Sequence, residues 1–226
     1  MNMLMKKTLI LFGLIIIPFL SFAQNKTIGQ VVDIDRNVYN TIIIGTQVWL
    51  KENLRVTHYN NGAPIQKVID TLAWTNLTSS AYCSYNNDDN IALKYGRLYN
   101  YYTVVDNRKL CPAGWHVPND NEWQILNDFL GGNLVAGGKM KVRDTLYWES
   151  PNVGATNESE FSALPAGRQY HDSYNFLGEY TNIWSTTQCE YDSNLVWCRY
   201  LTFSLPHLCR FTYKKHYGLS VRCLKN

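Results

Sequence analysis

Charge is scarce in this chain. Only 17% of its 226 residues are Asp, Glu, Lys or Arg, the formal net charge is +3, and no block of Lys or Arg stands out. A nucleic-acid partner, which a basic patch would announce, is therefore not implied. The six cysteines contain no Cys-x-x-Cys pair and the histidines no His-x-x-x-His pair, so the usual spacings of a structural zinc site are missing. His58, His116, His171, His207 and His216 are scattered, and no Gly-x-Ser-x-Gly elbow accompanies them. A nucleophile–base–acid triad has no sequence signature here. No internal repeat and no low-complexity linker interrupts the chain. Beyond its first residues, no apolar run approaches the ~20 residues needed to cross a bilayer as a helix.

The N-terminus has the layout of a secretory leader. Lys6 and Lys7 precede an apolar run from Thr8 to Leu20, broken by Gly13 and Pro18, and Ser21-Phe22-Ala23 places small residues before a cut. Residues 1–23 are expected to be a signal peptide, cleaved between Ala23 and Gln24. The run is shorter than a membrane anchor requires, and no cysteine at the cut offers a lipid attachment point. Residues 24–226 then form a single domain, long enough for one sizeable core. The expected location is outside the cytoplasm: secreted, periplasmic or cell-surface associated. All six cysteines lie in that part, and an even count in an exported chain favours disulfides, with the pairing left open. The abundant Trp and Tyr, with apolar bodies and polar tips, suit a binding surface and equally a β-rich core.

Val31 to Ile44 reads as a β-hairpin, two β-branched runs around an Asp/Asn turn. Gly45 leads into a short strand ending at Leu50, and Asn60-Asn61-Gly62-Ala63-Pro64 is a turn. Thr75 to Asn90 is polar and loop-like. The spacing of Leu98, Tyr101, Tyr102 and Val105 predicts one short buried helix over 95–105. Asn119 and Glu122 form a capping-box pattern before a helix whose face carries Trp123, Leu126 and Leu130, with Gly131 as its stop. Alternation then predicts strands over 180–185, 195–203, 208–213 and 219–224. Helices first and strands after make the class α+β. The hairpin turning near Ser204-Leu205-Pro206 brings Cys198 and Cys209 face to face, so a cross-strand disulfide is expected there rather than a redox or copper site.

Several ordered segments together resemble one family. They are Val32–Asp35, Ile44–Leu54, Tyr95–Asn100, Cys111–Trp123, Ala155–Ser159, Phe161–Gly167, Trp184–Thr187 and Gly218–Cys223. They are similar to the Fibrobacter succinogenes major paralogous domain family, over roughly residues 29–224. That resemblance implies an exported bacterial protein of a family without an established activity. It also implies a disulfide between Cys111 and Cys223, with Cys189, Cys198 and Cys209 as additions of this chain. Arg36 stands where Gly is common in the first turn, and Leu50 where Met is usual. Trp115-His116-Val117-Pro118 leading into Glu122-Trp123 is more distantly similar to formylglycine-generating-enzyme-like proteins. This implies a C-type-lectin-like core of short helices and a twisted antiparallel sheet. The close cysteine pair that binds copper in those enzymes is absent. His116, inside this turn, is expected to bond nearby backbone.

Two ligand chemistries were open to the sequence. Asn86-Asn87-Asp88-Asp89-Asn90 bunches hard oxygens as calcium loops do, although such clusters are commonly solvated turns, and the Glu-Pro-Asn, Gln-Pro-Asp and Trp-Asn-Asp triplets of calcium-dependent lectins are missing. No cofactor is otherwise expected. Exposed aromatics could hold a glycan directly, and Tyr170, Tyr174, Trp197 and Arg199 are the candidates, near loops where binding residues concentrate. The expected function is an exported binding module for a surface glycan or protein. The alternatives are a formylglycine-generating-type enzyme with altered or lost chemistry, and a structural cell-surface component.

Overall fold

The computed structural model describes residues 27–226; the leader expected at 1–23 lies outside the described residues. The protein is mixed α+β, mostly strands with few short helices. A first sheet begins with the expected hairpin, β1 (Thr27–Val32) against β2 (Val38–Ile44). Its turn is held by Asp33, whose Oδ1 accepts the amides of Asp35 and Asn37, both at 2.9 Å. Arg36 has φ +65° there, the left-handed region that makes glycine the easier choice. β3 (Gln47–Leu50) continues the sheet. Its neighbours in order β1-β2-β3-β13-β7 are β13 (Leu224–Lys225) and β7 (Trp115–His116). Both ends of the described chain therefore meet in one sheet.

A small three-stranded sheet follows, made of β4 (Gln66–Lys67), β5 (Ala81–Cys83) and β6 (Leu98–Tyr99). Short helices lie beside it: α1 (Thr71–Thr75), α2 (Asp89–Tyr95) and α3 (Tyr101–Val104). Two expectations change here. The 75–90 stretch contains a fully buried strand, β5, because Ala81, Tyr82 and Cys83 fill the gap between β4 and β6. The single helix expected over 95–105 is broken. Gly96 at φ +87° ends α2, where a Cβ would lie 2.5 Å from Asn53 Cβ, and Asn100 caps α3 anew through the Thr103 amide.

The largest sheet runs β12-β11-β10-β8-β9. Its strands are β8 (Ala166–Tyr170), β9 (Ser173–Leu177), β10 (Tyr180–Gln188), β11 (Leu195–Thr202) and β12 (Leu205–Lys214). Helices α4 (Asp120–Phe129) and α5 (Asn133–Met140) pack on one side of it. α4 starts at the expected capping box: Asn119 Oδ1 accepts the Glu122 amide at 3.0 Å, and Glu122 Oε2 accepts the Asn119 amide at 2.8 Å. α5 comes so close to β12 that a Cβ on Gly137 would sit 2.1 Å from the His207 carbonyl oxygen. Under these helices Trp49 and Trp123 meet at 4.7 Å, with Phe161 at 5.7 Å from Trp49. All three rings are fully buried, and each contributes roughly 1.5–3 kcal/mol of transfer free energy.

The strand expected over 219–224 is confined to Leu224–Lys225. Residues 218–220 instead bridge three different partners, Gln169, Tyr99 and Ile183, because the segment threads between sheets. Cys111 and Cys223, 112 positions apart in sequence, form the disulfide implied by the family resemblance, with Cα atoms 6.0 Å apart. It fastens the turn before β7 to the residue before β13. The Cys198–Cys209 bridge is not formed, and both cysteines are free. The register pairs Cys198 with Phe211 and Tyr200 with Cys209, so the thiols are diagonal neighbours rather than opposite partners.

Candidate functional site

The registers of β10, β11 and β12 decide which side chains share a face, since directly paired residues point the same way. Asn182 pairs with Tyr200 and Tyr200 with Cys209; Cys198 pairs with Phe211 and Val196 with Tyr213. The face opposite the α4 side thus carries Tyr180, Asn182, Tyr200, Phe211 and Tyr213. β8 runs parallel to β10 with Gly167 beside Thr181, and alternation brings Arg168 and Tyr170 to this same face.

On it seven aromatic rings form a continuous arc from Phe176 to Tyr170, and Arg168, stacked on both end rings, closes it into a circuit. Phe176 lies 4.9 Å from Tyr180, Tyr180 6.3 Å from Tyr200, and Tyr200 6.2 Å from Phe211. Phe211 then lies 5.2 Å from Tyr213, Tyr213 5.6 Å from Tyr217, and Tyr217 4.7 Å from Tyr170. Phe211 is 50% exposed and Phe176 37%; Tyr170, Tyr180 and Tyr200 are half-buried, and Tyr213 and Tyr217 form the floor. Arg168 sits inside the circuit, its guanidinium carbon 4.8 Å from the Tyr170 and Phe176 rings and 5.0 Å from Tyr213. Its Nη1 donates to the Tyr213 hydroxyl. Burial, then the neighbouring Cys198 thiol, pushes the Tyr213 phenol up, and burial does the same to Tyr217. Both remain neutral donors and stacking surfaces near neutral pH. At the rim, Tyr170, His171, Asp172, Ser173 and Asn175 line an open groove with Leu72 and Thr75.

The four residues proposed from sequence are not brought together. Tyr170 belongs to the circuit. Tyr174 pairs with Gln169 and so points to the other side, where its ring lies 5.4 Å from Tyr85 and its hydroxyl donates to Asn87 Oδ1 at 2.9 Å. Trp197 faces the α4 side, buried, with Nε1 donating to Glu190 and the Arg210 guanidinium 3.2 Å from its ring centroid. Arg199 is 2% exposed and ion-paired to Asp120 at 2.8 Å, so it anchors α4 to the sheet. The sequence reading overlooked Arg168, Phe176, Tyr180, Tyr200, Phe211, Tyr213 and Tyr217. The alternation Cys209-x-Phe211-x-Tyr213 was a usable signal for part of this face.

Other candidates spend their groups internally. Asp88 Oδ1 accepts the Asn90 amide, while Asp89 accepts from Ser84, Lys67 and Arg97, which hold its carboxyl well below the usual range. Asn87 donates to the Ile69 carbonyl. His116 bonds side chains rather than backbone, Asn226 at 2.7 Å and Glu122 at 2.9 Å. Burial pushes the Cys83 thiol up to about 12 and that of Cys198 higher still, so neither is a thiolate nucleophile at neutral pH. A separate cleft of about 240 Å³ lies between Lys51, Lys94, Tyr95, Tyr147 and Arg222. There the Arg222 guanidinium is committed to Asn53 Oδ1 and the Leu50 and Phe161 carbonyls.

The family model described as Fibrobacter succinogenes major domain matches residues 42–225. No curated protein and no solved structure matches the chain.

Proposed function

We propose, from the premise that this chain belongs to the Fibrobacter succinogenes major domain family, that it is an exported binding module whose ligand is a glycan held on the aromatic face. The observation that carries this reading is the circuit of half-exposed rings around Arg168. Pyranose rings offer a flat patch of C–H bonds to an aromatic face and hydroxyls to the polar tips around it. An exposed apolar face rimmed by polar groups is what marks an interaction surface on an otherwise soluble fold. The leader-like N-terminus and the Cys111–Cys223 disulfide support export. We read the core as C-type-lectin-like. In support, both ends of the described chain close into one sheet, and short helices flank a twisted antiparallel one. Stacking of this kind needs no metal, so calcium is proposed to be dispensable for binding.

The test is a glycan array probed with protein recovered from the culture medium, its N-terminus established by mass spectrometry, with and without calcium. The expected result is a chain beginning at Gln24 that binds a defined glycan class under both conditions. Phe211→Ala should weaken that binding by about 1–2 kcal/mol, roughly 5- to 30-fold. Wild-type binding to no glycan, or a Phe211→Ala variant that binds as wild type, would remove the reading.

A further inference from the structure

Resting on that platform reading, we infer that the glycan is acidic, its sugar rings carrying carboxylate or sulfate groups, and that Arg168 is the receptor for the anion. Arg168 is an arginine whose hydrogen-bonding capacity is almost unspent. Among the described residues its guanidinium makes a single hydrogen bond, to the Tyr213 hydroxyl, and no salt bridge. Its Nε is shielded from solvent and has no partner. The two buried arginines among the described residues behave differently from half-buried Arg168. Arg199 is neutralised by Asp120, and Arg222 donates to three acceptors. With Nε shielded and one Nη1 hydrogen on Tyr213, the Nη1/Nη2 end of the guanidinium is the edge left for a planar carboxylate or a sulfate ester, either of which accepts two parallel N–H bonds.

A second observation lies beside it. Asn182 occupies the next strand on the same face, between Arg168 and Tyr200, and is fully buried. Neither its amide oxygen nor its amide nitrogen has a partner. Buried amides are nearly always satisfied, by protein or by a bound molecule, so this pair of atoms marks a polar position in the floor of the platform. Both atoms are shielded from solvent, so an ordered water beneath the rings would satisfy them and relay to a ligand hydroxyl. Lys214 is a cation near the edge of the platform, while His216 there is kept neutral near pH 7. Lys214 and His171 lie close enough to His216 to lower its pKa after burial has done so, and His171 and His216 both touch the Tyr217 ring. Asp172, on the groove side, is the acidic residue nearest this cluster in sequence. The low overall charge, with no run of Lys or Arg, does not provide the series of phosphate contacts a nucleic acid needs.

The test is affinity electrophoresis of the purified protein through gels containing polygalacturonate, its methyl-esterified counterpart, dextran sulfate, dextran, or double-stranded DNA. Polygalacturonate or dextran sulfate should retard the protein while its uncharged counterpart does so at least tenfold less, and which of the two acts distinguishes carboxylate from sulfate. Arg168→Gln should weaken the acidic interaction about tenfold, the effect of losing one charge-assisted pair, with Arg168→Lys intermediate and thermal melting unchanged. Should Arg168→Gln melt early, Asn182→Asp, which places a negative charge beneath the ligand, should selectively weaken the acidic interaction instead. Equal retardation by charged and uncharged partners would overturn the acidic preference and leave the glycan reading intact. Retardation by DNA as strong as by the acidic glycans, insensitive to Arg168→Gln, would mean unselective polyanion binding and overturn the inference. No retardation in any gel would remove both.

Discussion

Arg168, Arg199 and Arg222 carry the same guanidinium into three environments, and the acceptors around each decide its role. Arg222 is fully buried over the Phe161 ring, and burial pulls its pKa down to about 9. It stays charged at neutral pH because backbone and Asn53 oxygens replace its water. Lys141 obeys the same rule, with Nζ donating to the carbonyls of Val153, Thr202 and Leu205 at 2.8–3.0 Å and a pKa drawn down by burial to about 8. The tyrosines give the prediction at this scale. Burial raises the phenols of Tyr39, Tyr99 and Tyr213 far above the ordinary value of 10.0. Below that value both folded and unfolded chains hold these protons, and stability is unaffected. Above it the unfolded chain ionises and the native one does not, so stability falls as pH rises. An alkaline titration followed at 295 nm should therefore show one group of tyrosines titrating normally and the rest ionising only together with loss of structure. A single smooth transition near pH 10 for every tyrosine would contradict it.

At the scale of elements, α4 was readable because its signal is local: Asn119, Glu122 and the Trp123, Leu126, Leu130 stripe sit within a few turns of each other. The cap also reaches outward, since Glu122 Oε1 holds His116 Nε2 in β7 at 2.9 Å. Asn119→Ala should cost about 1 kcal/mol, the usual value of a lost N-cap, seen as an equal shift of the unfolding free energy in urea with no change in slope. A loss above about 3 kcal/mol would mean that the cap also holds β7 in place. The helix expected over 95–105 failed for a non-local reason. Of its four spaced residues Leu98 and Tyr101 are buried, Tyr102 is half-buried and Val105 is 45% exposed, so no continuous buried helix face forms. The break at Gly96 is imposed by Asn53, a residue forty-three positions earlier, which occupies the space a side chain would need. The Cys198–Cys209 expectation failed in the same way. A turn of two residues, Phe203 and Ser204, pairs Thr202 with Leu205, yet the register shifts between Tyr200 and Thr202, and that shift leaves the cysteines diagonal.

For the whole molecule, one covalent link joins the middle of the chain to its end. Closing so long a loop is worth about 4–5 kcal/mol in a chain-entropy account. Removing it by Cys111→Ala with Cys223→Ala should lower the melting temperature by roughly 5–20 °C. Thiol titration of the denatured, unreduced protein should find the four free cysteines, Cys83, Cys189, Cys198 and Cys209; a count of two would restore a second disulfide. Much of the architecture follows from sequence alone: the class, the first hairpin, the capped helix, the three long C-terminal strands and the family. Each rests on neighbours within a few residues, or on ordered motifs that survive without knowledge of the third dimension. The sheet face on which each aromatic lies was decided only in the tertiary structure. Trp197 and Tyr200 are equally aromatic and three residues apart, yet one is buried on the helix side of the sheet against Tyr191 and Arg210 and the other shares a half-exposed surface with Phe211. The choice between them depends on strand register and on which side the helices pack, and both are set by contacts across the whole chain.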